Sequence, residues 1–204
     1  MIFIRYENWK SYLRYYPVTC LILAANLFMF VLVMFNGGSD NPYTQLRFGA
    51  LTNDPYFEGE SWRLFASMFL HHDFGHLFSN CFAILVFAPP LERLLGHWRY
   101  ALLYIGSGLI GNLISLEIYR QSTELHLSVG ASGAVYGVYG AFLYIALLQR
   151  QLMDESSRKT LYSLLIIGVV FSVIVPQVNW MAHFGGLVGG FFLYGIIIRL
   201  LKRR

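Results

Sequence analysis

The chain has 204 residues, of which 56% are hydrophobic and only 13% are charged, and its mean hydropathy is +0.52. Soluble domains carry about 25% charged residues, so the composition excludes an ordinary soluble domain and indicates a membrane protein. The net charge of +4 does not indicate a nucleic-acid partner, because the basic residues occupy short connections between apolar segments.

Apolar helices are predicted over most of the chain. Crossing a hydrocarbon core of about 30 Å takes roughly 20 helical residues, and six segments reach or approach that length. We predict transmembrane helices over 18–35, 74–90, 99–119, 128–148, 161–175 and 180–201. Residues 1–16 mix basic and aromatic side chains and are predicted to form a cytoplasmic interfacial segment. The predicted fold is an all-α polytopic membrane protein with a six-helix domain over 17–204.

The distribution of lysine and arginine favours one orientation of these helices. If the N-terminus lies in the cytoplasm, 12 of the 15 basic residues fall in inner segments, and only Arg47, Arg63 and Arg120 fall in outer ones. Inner connections of membrane proteins are enriched in lysine and arginine. We therefore predict that both termini are cytoplasmic, which agrees with an even number of transmembrane helices.

One outer connection is unusually long. Residues 37–61 exceed the usual loop length of about 4–6 residues, and they include the aromatic side chains of Tyr43, Phe48, Tyr56 and Phe57. Such a segment is compatible with a loop that lies in the outer headgroup region and equally with a simple extracellular loop. The composition does not distinguish the two.

Four polar side chains are predicted to lie at a similar depth in the membrane. His76 and Asn80 fall in the first turns of the second helix, Ser132 in those of the fourth, and His183 in the first turn of the sixth. All three helices enter from the outer side, and a rise of 1.5 Å per residue places each side chain roughly 5–10 Å below the outer boundary. Polar groups inside a membrane are costly and are therefore candidates for function.

These residue types suit nucleophilic catalysis. A serine becomes a nucleophile when a neighbouring histidine takes its proton, and Gly130 before Ser132 allows a substrate carbonyl to come close. His76 and Asn80 are four residues apart and share a helix face, from which both can donate hydrogen bonds to an oxyanion. No Asp or Glu falls at that depth in the fourth or sixth helix. The sequence thus predicts a Ser132–His183 dyad rather than a triad.

Simpler explanations compete with this one. A Gly-Ala-Ser-Gly run in a membrane helix often reflects only close packing, and His183 alone could be an interhelical hydrogen-bond partner. His71, His72, Asp73 and His76 contain zinc-binding side chains, but their spacing is not the His-Glu-x-x-His of a metalloprotease, and no metal is expected. A transporter for metals or small solutes is disfavoured, because these groups lie near the outer side and offer no path across the membrane.

Several motifs, in order along the chain, resemble those of the rhomboid family of intramembrane serine proteases. Residues 130–133 resemble the Gly-x-Ser-Gly that holds the family's nucleophile, and 182–190 resemble the Ala-His-x-x-Gly-x-x-x-Gly of its sixth helix. Residues 71–80 resemble its His-x4-His-x3-Asn. Further matches are Trp62-Arg63 in the first outer loop and Glu92-Arg93 with Gly96 in a Glu-Arg-x-x-Gly turn. The resemblance covers roughly residues 43–200.

The resemblance implies a serine endopeptidase that hydrolyses peptide bonds in or near the transmembrane segments of membrane-anchored proteins. It implies no cofactor and no nucleic-acid partner, and a place in a bacterial plasma membrane with the active site toward the outer face. A catalytically silent scaffold of the same fold, which binds membrane segments, is the alternative. The roles that the resemblance implies are nucleophile Ser132, general base His183, oxyanion donors His76, Asn80 and the Ser132 N–H, and supporting residues Gly130 and Tyr136, the latter packed on the histidine ring.

Overall fold

The computed structural model describes residues 2–3, 6–175 and 178–202, and these are mainly helical. Parts of the predicted interfacial segment 1–16, and the basic residues 203–204, lie outside the described residues. The helices are α1 Trp9–Tyr15, α2 Pro17–Phe35, α3 Pro42–Arg47, α4 Arg63–Ala66, α5 Phe74–Leu95, α6 His97–Tyr119, α7 Ser132–Leu148, α8 Glu155–Ile174 and α9 Trp180–Lys202. Two short strands, β1 Leu51–Thr52 and β2 Leu127–Ser128, pair with each other in an antiparallel arrangement.

Five of these helices, α2, α5, α6, α8 and α9, are long and apolar enough to cross a membrane. The remaining predicted transmembrane helix corresponds to α7, which is apolar but has 17 residues. At 1.5 Å per residue α7 is about 26 Å long, which is less than a hydrocarbon core of about 30 Å. The predicted all-α polytopic fold is confirmed, and the chain is an integral multi-pass membrane protein.

The start of α7 differs from the predicted start at residue 128. Ser128 pairs with Leu51 across the two strands, and Gly130 then turns the chain with a φ of +131°. The helix therefore begins at Ser132 itself. The predicted boundary was wrong because hydropathy alone does not separate a short apolar strand from the first turn of a helix.

The second transmembrane helix, α5, is longer than predicted because it continues through Pro89 and Pro90 and ends at Leu95. A proline inside a helix removes the hydrogen bond to the carbonyl four residues earlier. For Pro89 that carbonyl belongs to Leu85, and Tyr12 of α1 donates its hydroxyl proton to it at 3.1 Å. The segment before the first transmembrane helix thus supplies a hydrogen bond that the proline cannot make.

The fifth transmembrane helix, α8, begins before the predicted residue 161. The Asp154 carboxylate accepts hydrogen bonds from the Ser157 N–H at 3.0 Å and from the Ser157 hydroxyl at 2.7 Å. These hydrogen bonds hold the pKa of Asp154 below its usual range. An aspartate at this position caps a helix, so α8 starts at Glu155 and reaches 20 residues. The predicted start was wrong because the polar first turn belongs to the helix.

A buried carboxylate joins α2 to α5. Glu92 is fully buried and accepts hydrogen bonds from the N–H groups of Val18 and Thr19 and from the Thr19 hydroxyl. Both amides lie in the first turn of α2, where the helix dipole favours a negative charge. The Nδ1 atom of His97 lies 2.7 Å from the same carboxylate. A buried charge is tolerated when it is paired in this way, so the last turns of α5 fix the position of α2.

The connection between α2 and α5, which includes the long segment 37–61, is folded. It contains α3, β1 and α4, and it encloses the buried side chain of Arg63. The Arg63 guanidinium donates hydrogen bonds to the carbonyls of Leu46 at 2.6 Å and Ala50 at 3.1 Å, and it pairs with Glu60. Because one guanidinium carries five donors, this arginine can hold several parts of the connection in one arrangement.

The central helix of the bundle is α7, which contacts α5, α6, α8 and α9. Glycines allow its main chain to meet that of α9. A Cβ atom on Gly186 would collide with the carbonyl of Gly133, and one on Gly190 would collide with the carbonyl of Gly137. Small residues permit such close approach between membrane helices. This packing fixes α7 beside α9, and these two helices carry the predicted nucleophile and base.

Candidate active site

Ser132 occupies the first position of α7, where its side chain is half-buried. The preceding Ala131 has no side-chain acceptor, and the N–H groups of a first helical turn have no intrahelical partner. Gly130 donates its N–H to the Ser67 carbonyl at 2.9 Å and so anchors the turn. The turn therefore combines a hydroxyl group with adjacent N–H donors.

His183 lies in the first turn of α9, at the same end of the α7–α9 contact as Ser132. Gly133, which follows Ser132, faces Ala182, which precedes His183, and a Cβ atom on Gly133 would lie 3.4 Å from the Ala182 carbonyl oxygen. Asn179 accepts a hydrogen bond from the Ala182 N–H at 3.0 Å and so caps α9. The predicted nucleophile and base therefore belong to directly neighbouring stretches of main chain.

The His183 ring is 8% exposed and is contacted by two other side chains. Tyr136 stacks on it, with ring centroids 4.2 Å apart and an angle of 11° between the planes. Its Nδ1 atom lies 2.7 Å from the Oγ atom of Ser172 on α8. The contact at Nδ1 leaves Nε2 as the ring nitrogen for a further partner.

His76 and Asn80 lie on α5, whose N-terminus is capped by a hydrogen bond from the His76 N–H to Asp73 at 2.9 Å. A Cβ atom on Gly130 would lie 2.8 Å from the Nε2 atom of His76 and 3.6 Å from the Oγ atom of Ser132, so these side chains flank the same glycine. Asn80 is buried, and its Nδ2 atom has no hydrogen-bond partner among the described residues. A buried donor without an acceptor is costly, and it is available to an incoming anion.

The neighbouring histidines lie close together, but no group of three or more His, Cys, Asp or Glu residues within the described part of the chain is placed to hold a metal ion. The rings of His71 and His76 meet edge to face, with centroids 5.0 Å apart. Burial, and to a lesser degree the neighbouring His76, lower the pKa of His71 to about 3. His71 is therefore neutral at pH 7 and places no full charge beside the site.

An open cavity of about 490 Å³ adjoins these residues. Its walls include the polar side chains of His72, Ser115, Ser128, Ser172 and Asn179. Ser172 lines the cavity and also contacts the ring of the predicted base. The cavity therefore lies next to a side chain that contacts His183. Water can occupy a polar space of this size.

Two residues of this site, Ser172 and Asn179, were not predicted from the sequence. Asn179 donates hydrogen bonds to the hydroxyl groups of Ser115 at 2.6 Å and Ser128 at 2.8 Å, and so connects α9 with α6 and β2. An asparagine three residues before Ala182 has the spacing of a helix cap, and this signal was present in the sequence. The signal for Ser172 was weaker, because it is one of four serines in α8 and no local pattern marks it.

The fold and the site define a class: a polytopic membrane protein in which a serine and a histidine from non-adjacent helices lie at one helix–helix contact. A family model described as the Rhomboid domain matches residues 58–200. The chain is 36% identical over 203 residues to YdcA, a rhomboid of Bacillus subtilis (strain 168), and the alignment covers 100% of both proteins.

Two further relatives are longer than this chain. Rhomboid protease GluP of the same bacterium is 36% identical over 174 residues, which are 85% of this chain and 33% of that protein. RHOMBOID-like protein 5 of Arabidopsis thaliana is 36% identical over 156 residues, which are 76% of this chain and 50% of that protein. The chain belongs to the rhomboid family, which confirms the predicted family and supports intramembrane proteolysis in general. The roles of single residues stay predictions.

Proposed function

We propose that this chain is an intramembrane serine endopeptidase that hydrolyses peptide bonds in or near the transmembrane segments of membrane-anchored proteins. The observation that carries the proposal is the glycine-mediated contact of α7 with α9, where the main-chain neighbours of Ser132 and His183 face each other. Membership of the rhomboid family supports the same class of reaction.

In the proposed reaction, the Oγ atom of Ser132 attacks the carbonyl carbon of the peptide bond while the Nε2 atom of His183 accepts the serine proton. The tetrahedral intermediate then expels the amine, which takes that proton from His183. A water molecule attacks the resulting ester, gives a proton to His183 and releases the carboxyl product, and the serine regains its proton. The polar cavity beside the site is the proposed source of this water.

The proposed oxyanion donors are the Ser132 N–H and the side chains of His76 and Asn80. The buried Nδ2 atom of Asn80, which lacks a hydrogen-bond partner among the described residues, supports this role, as does the position of His76 beside Gly130. In other enzymes the loss of one such donor costs about 3–4 kcal/mol, or a hundredfold or more in rate.

The proposal is tested by covalent labelling of the purified protein with a fluorophosphonate probe. We expect labelling of the unmodified protein at Ser132, identified by mass spectrometry, and none in Ser132→Ala or His183→Ala, because both the nucleophile and its base are needed. Ser163→Ala, which removes an exposed hydroxyl on α8, serves as the control and should label normally. A folded protein that neither labels nor cleaves a membrane-anchored substrate would contradict the proposal and favour the scaffold.

A further inference from the structure

Ser172 has more hydrogen-bond partners than a serine in an apolar helix needs. It is 5% exposed, and its Oγ atom lies 2.6 Å from the Gly168 carbonyl oxygen, 2.7 Å from Nδ1 of His183 and 3.2 Å from the Tyr136 hydroxyl. A hydroxyl group has one proton to donate and two lone pairs to accept with. The three contacts therefore match its full hydrogen-bonding capacity.

The chemistry of the partners determines the direction of each hydrogen bond. A carbonyl oxygen can only accept, so the Ser172 proton points to Gly168. The contact with His183 then requires a proton on Nδ1, which donates to the serine oxygen, and the Tyr136 hydroxyl donates to the second lone pair. If Ser172 instead donated its proton to Nδ1 of His183, the Ser172 Oγ atom and the Gly168 carbonyl oxygen would lie 2.6 Å apart without a proton between them.

We propose that Ser172 is a positioning residue that holds His183 as its Nδ1–H tautomer, so that Nε2 is unprotonated and able to accept the proton of Ser132. The effect of this tautomer on catalysis rests on the proposed function. The tautomer itself rests only on the hydrogen bonds of Ser172. In serine proteases with a triad, a carboxylate performs the orienting task.

A serine suits this position better than a carboxylate would. The site is buried among membrane helices, where a charge would need its own partner, and the neutral hydroxyl is already satisfied. One turn earlier, a Cβ atom on Gly168 would collide with the Tyr136 hydroxyl, so a larger residue there would displace this side chain. Gly168 and Ser172 share one face of α8, so this helix takes part in orienting the base.

The first test measures the tautomer directly. Solid-state NMR of the protein with 15N-labelled histidine in lipid bilayers identifies which nitrogen of each neutral ring carries the proton, and His183→Gln assigns the signal. We expect a protonated Nδ1 in His183. A proton on Nε2 instead would overturn the inference, whether or not any variant folds.

The second test measures the catalytic consequence with a membrane-anchored substrate. Ser172→Ala should lower kcat about tenfold and leave KM unchanged, because a neutral hydrogen bond contributes less than the carboxylate of a triad. Ser172→Thr keeps the hydroxyl and should restore most of kcat. An unchanged kcat in folded Ser172→Ala, or a rise in KM alone, would overturn the positioning role.

A matched control is available on the same helix. The Thr160 hydroxyl donates to the Ser156 carbonyl at 3.1 Å, as the Ser172 hydroxyl does to Gly168, and Thr160→Ala should leave kcat and KM unchanged. If the unmodified protein neither labels nor cleaves, the proposed function fails, while the tautomer measurement still decides the inference.

Discussion

At the scale of single residues, Gly130 connects backbone geometry with the proposed chemistry. Its φ of +131° is unfavourable for residues with a side chain, and a Cβ atom would lie 2.7 Å from the Cε1 atom of His76. We expect Gly130→Ala to displace this ring and to lower the rate of fluorophosphonate labelling about a hundredfold. Backbone strain should also lower the free energy of unfolding by about 1–2 kcal/mol, measured by unfolding in detergent micelles.

Gly59 provides the control for backbone strain alone. Its φ is +90°, and a Cβ atom there would meet nothing within 4 Å. Gly59→Ala should therefore have a similar backbone cost and label at the normal rate. Equal labelling rates in the two variants would show that Gly130 has no particular role beside His76.

The candidate reactive residues could be predicted from the sequence, but the orienting contact could not. Ser132 and His183 stand out because polar groups are rare in apolar helices and both lie in the first turns of helices that are predicted to enter from the same side. The contact between Ser172 and His183 depends on how α8 is rotated about its own axis. Hydropathy does not fix that rotation, because much of α8 is exposed on the outside of the bundle.

At the scale of helices, the contact of α7 with α9 should be sensitive to a single methyl group. A Cβ atom on Gly190 would collide with the main chain of Gly137, which cannot move aside as a side chain can. We expect Gly190→Ala to lower the free energy of unfolding by about 1–3 kcal/mol or more. Separation of the two helices should also slow labelling of Ser132, measured on the folded fraction.

Gly106 of α6 provides a comparison, because it is also in a close contact between helices but faces a flexible side chain instead of main chain. A Cβ atom there would lie 3.0 Å from the Cδ1 atom of Leu193, which is the end of a side chain. Gly106→Ala should therefore destabilise the protein less than Gly190→Ala. The reverse order would show that the main-chain contact of α7 and α9 does not control stability.

The helix boundaries show which local signals outweigh hydropathy. Because Ser128 pairs in a strand, α7 begins later in the chain than predicted. The Asp154 cap makes α8 begin earlier than predicted, and the hydroxyl of Tyr12 helps α5 continue past Pro89. The Asp154 cap is a local pattern and could be predicted from sequence. The other two depend on residues far away in the chain, and for that reason the predicted boundaries differ there.

At the scale of the whole molecule, composition predicted the fold class, while the arrangement of the helices depends on contacts between distant residues. The six-helix domain 17–204 with a separate segment 1–16 stays a prediction, and the described part of that segment is in close contact with the bundle. Phe3 meets Phe87 of α5 and Phe142 of α7 edge to face, with ring centroids 4.9 and 5.1 Å apart.

Orientation in the membrane is the property that decides from which side a substrate meets Ser132. The excess of lysine and arginine in the predicted inner segments predicts that both termini and the α7–α8 connection lie in the cytoplasm. The outer connection carries the exposed Tyr56, and the inner one the exposed Gln151. With Cys20 and Cys81 replaced by serine, a membrane-impermeant maleimide should label Tyr56→Cys in intact cells and Gln151→Cys only after permeabilisation. The opposite pattern would place the Ser132 end of α7 at the cytoplasmic face, and substrates would then have to be cut from that side.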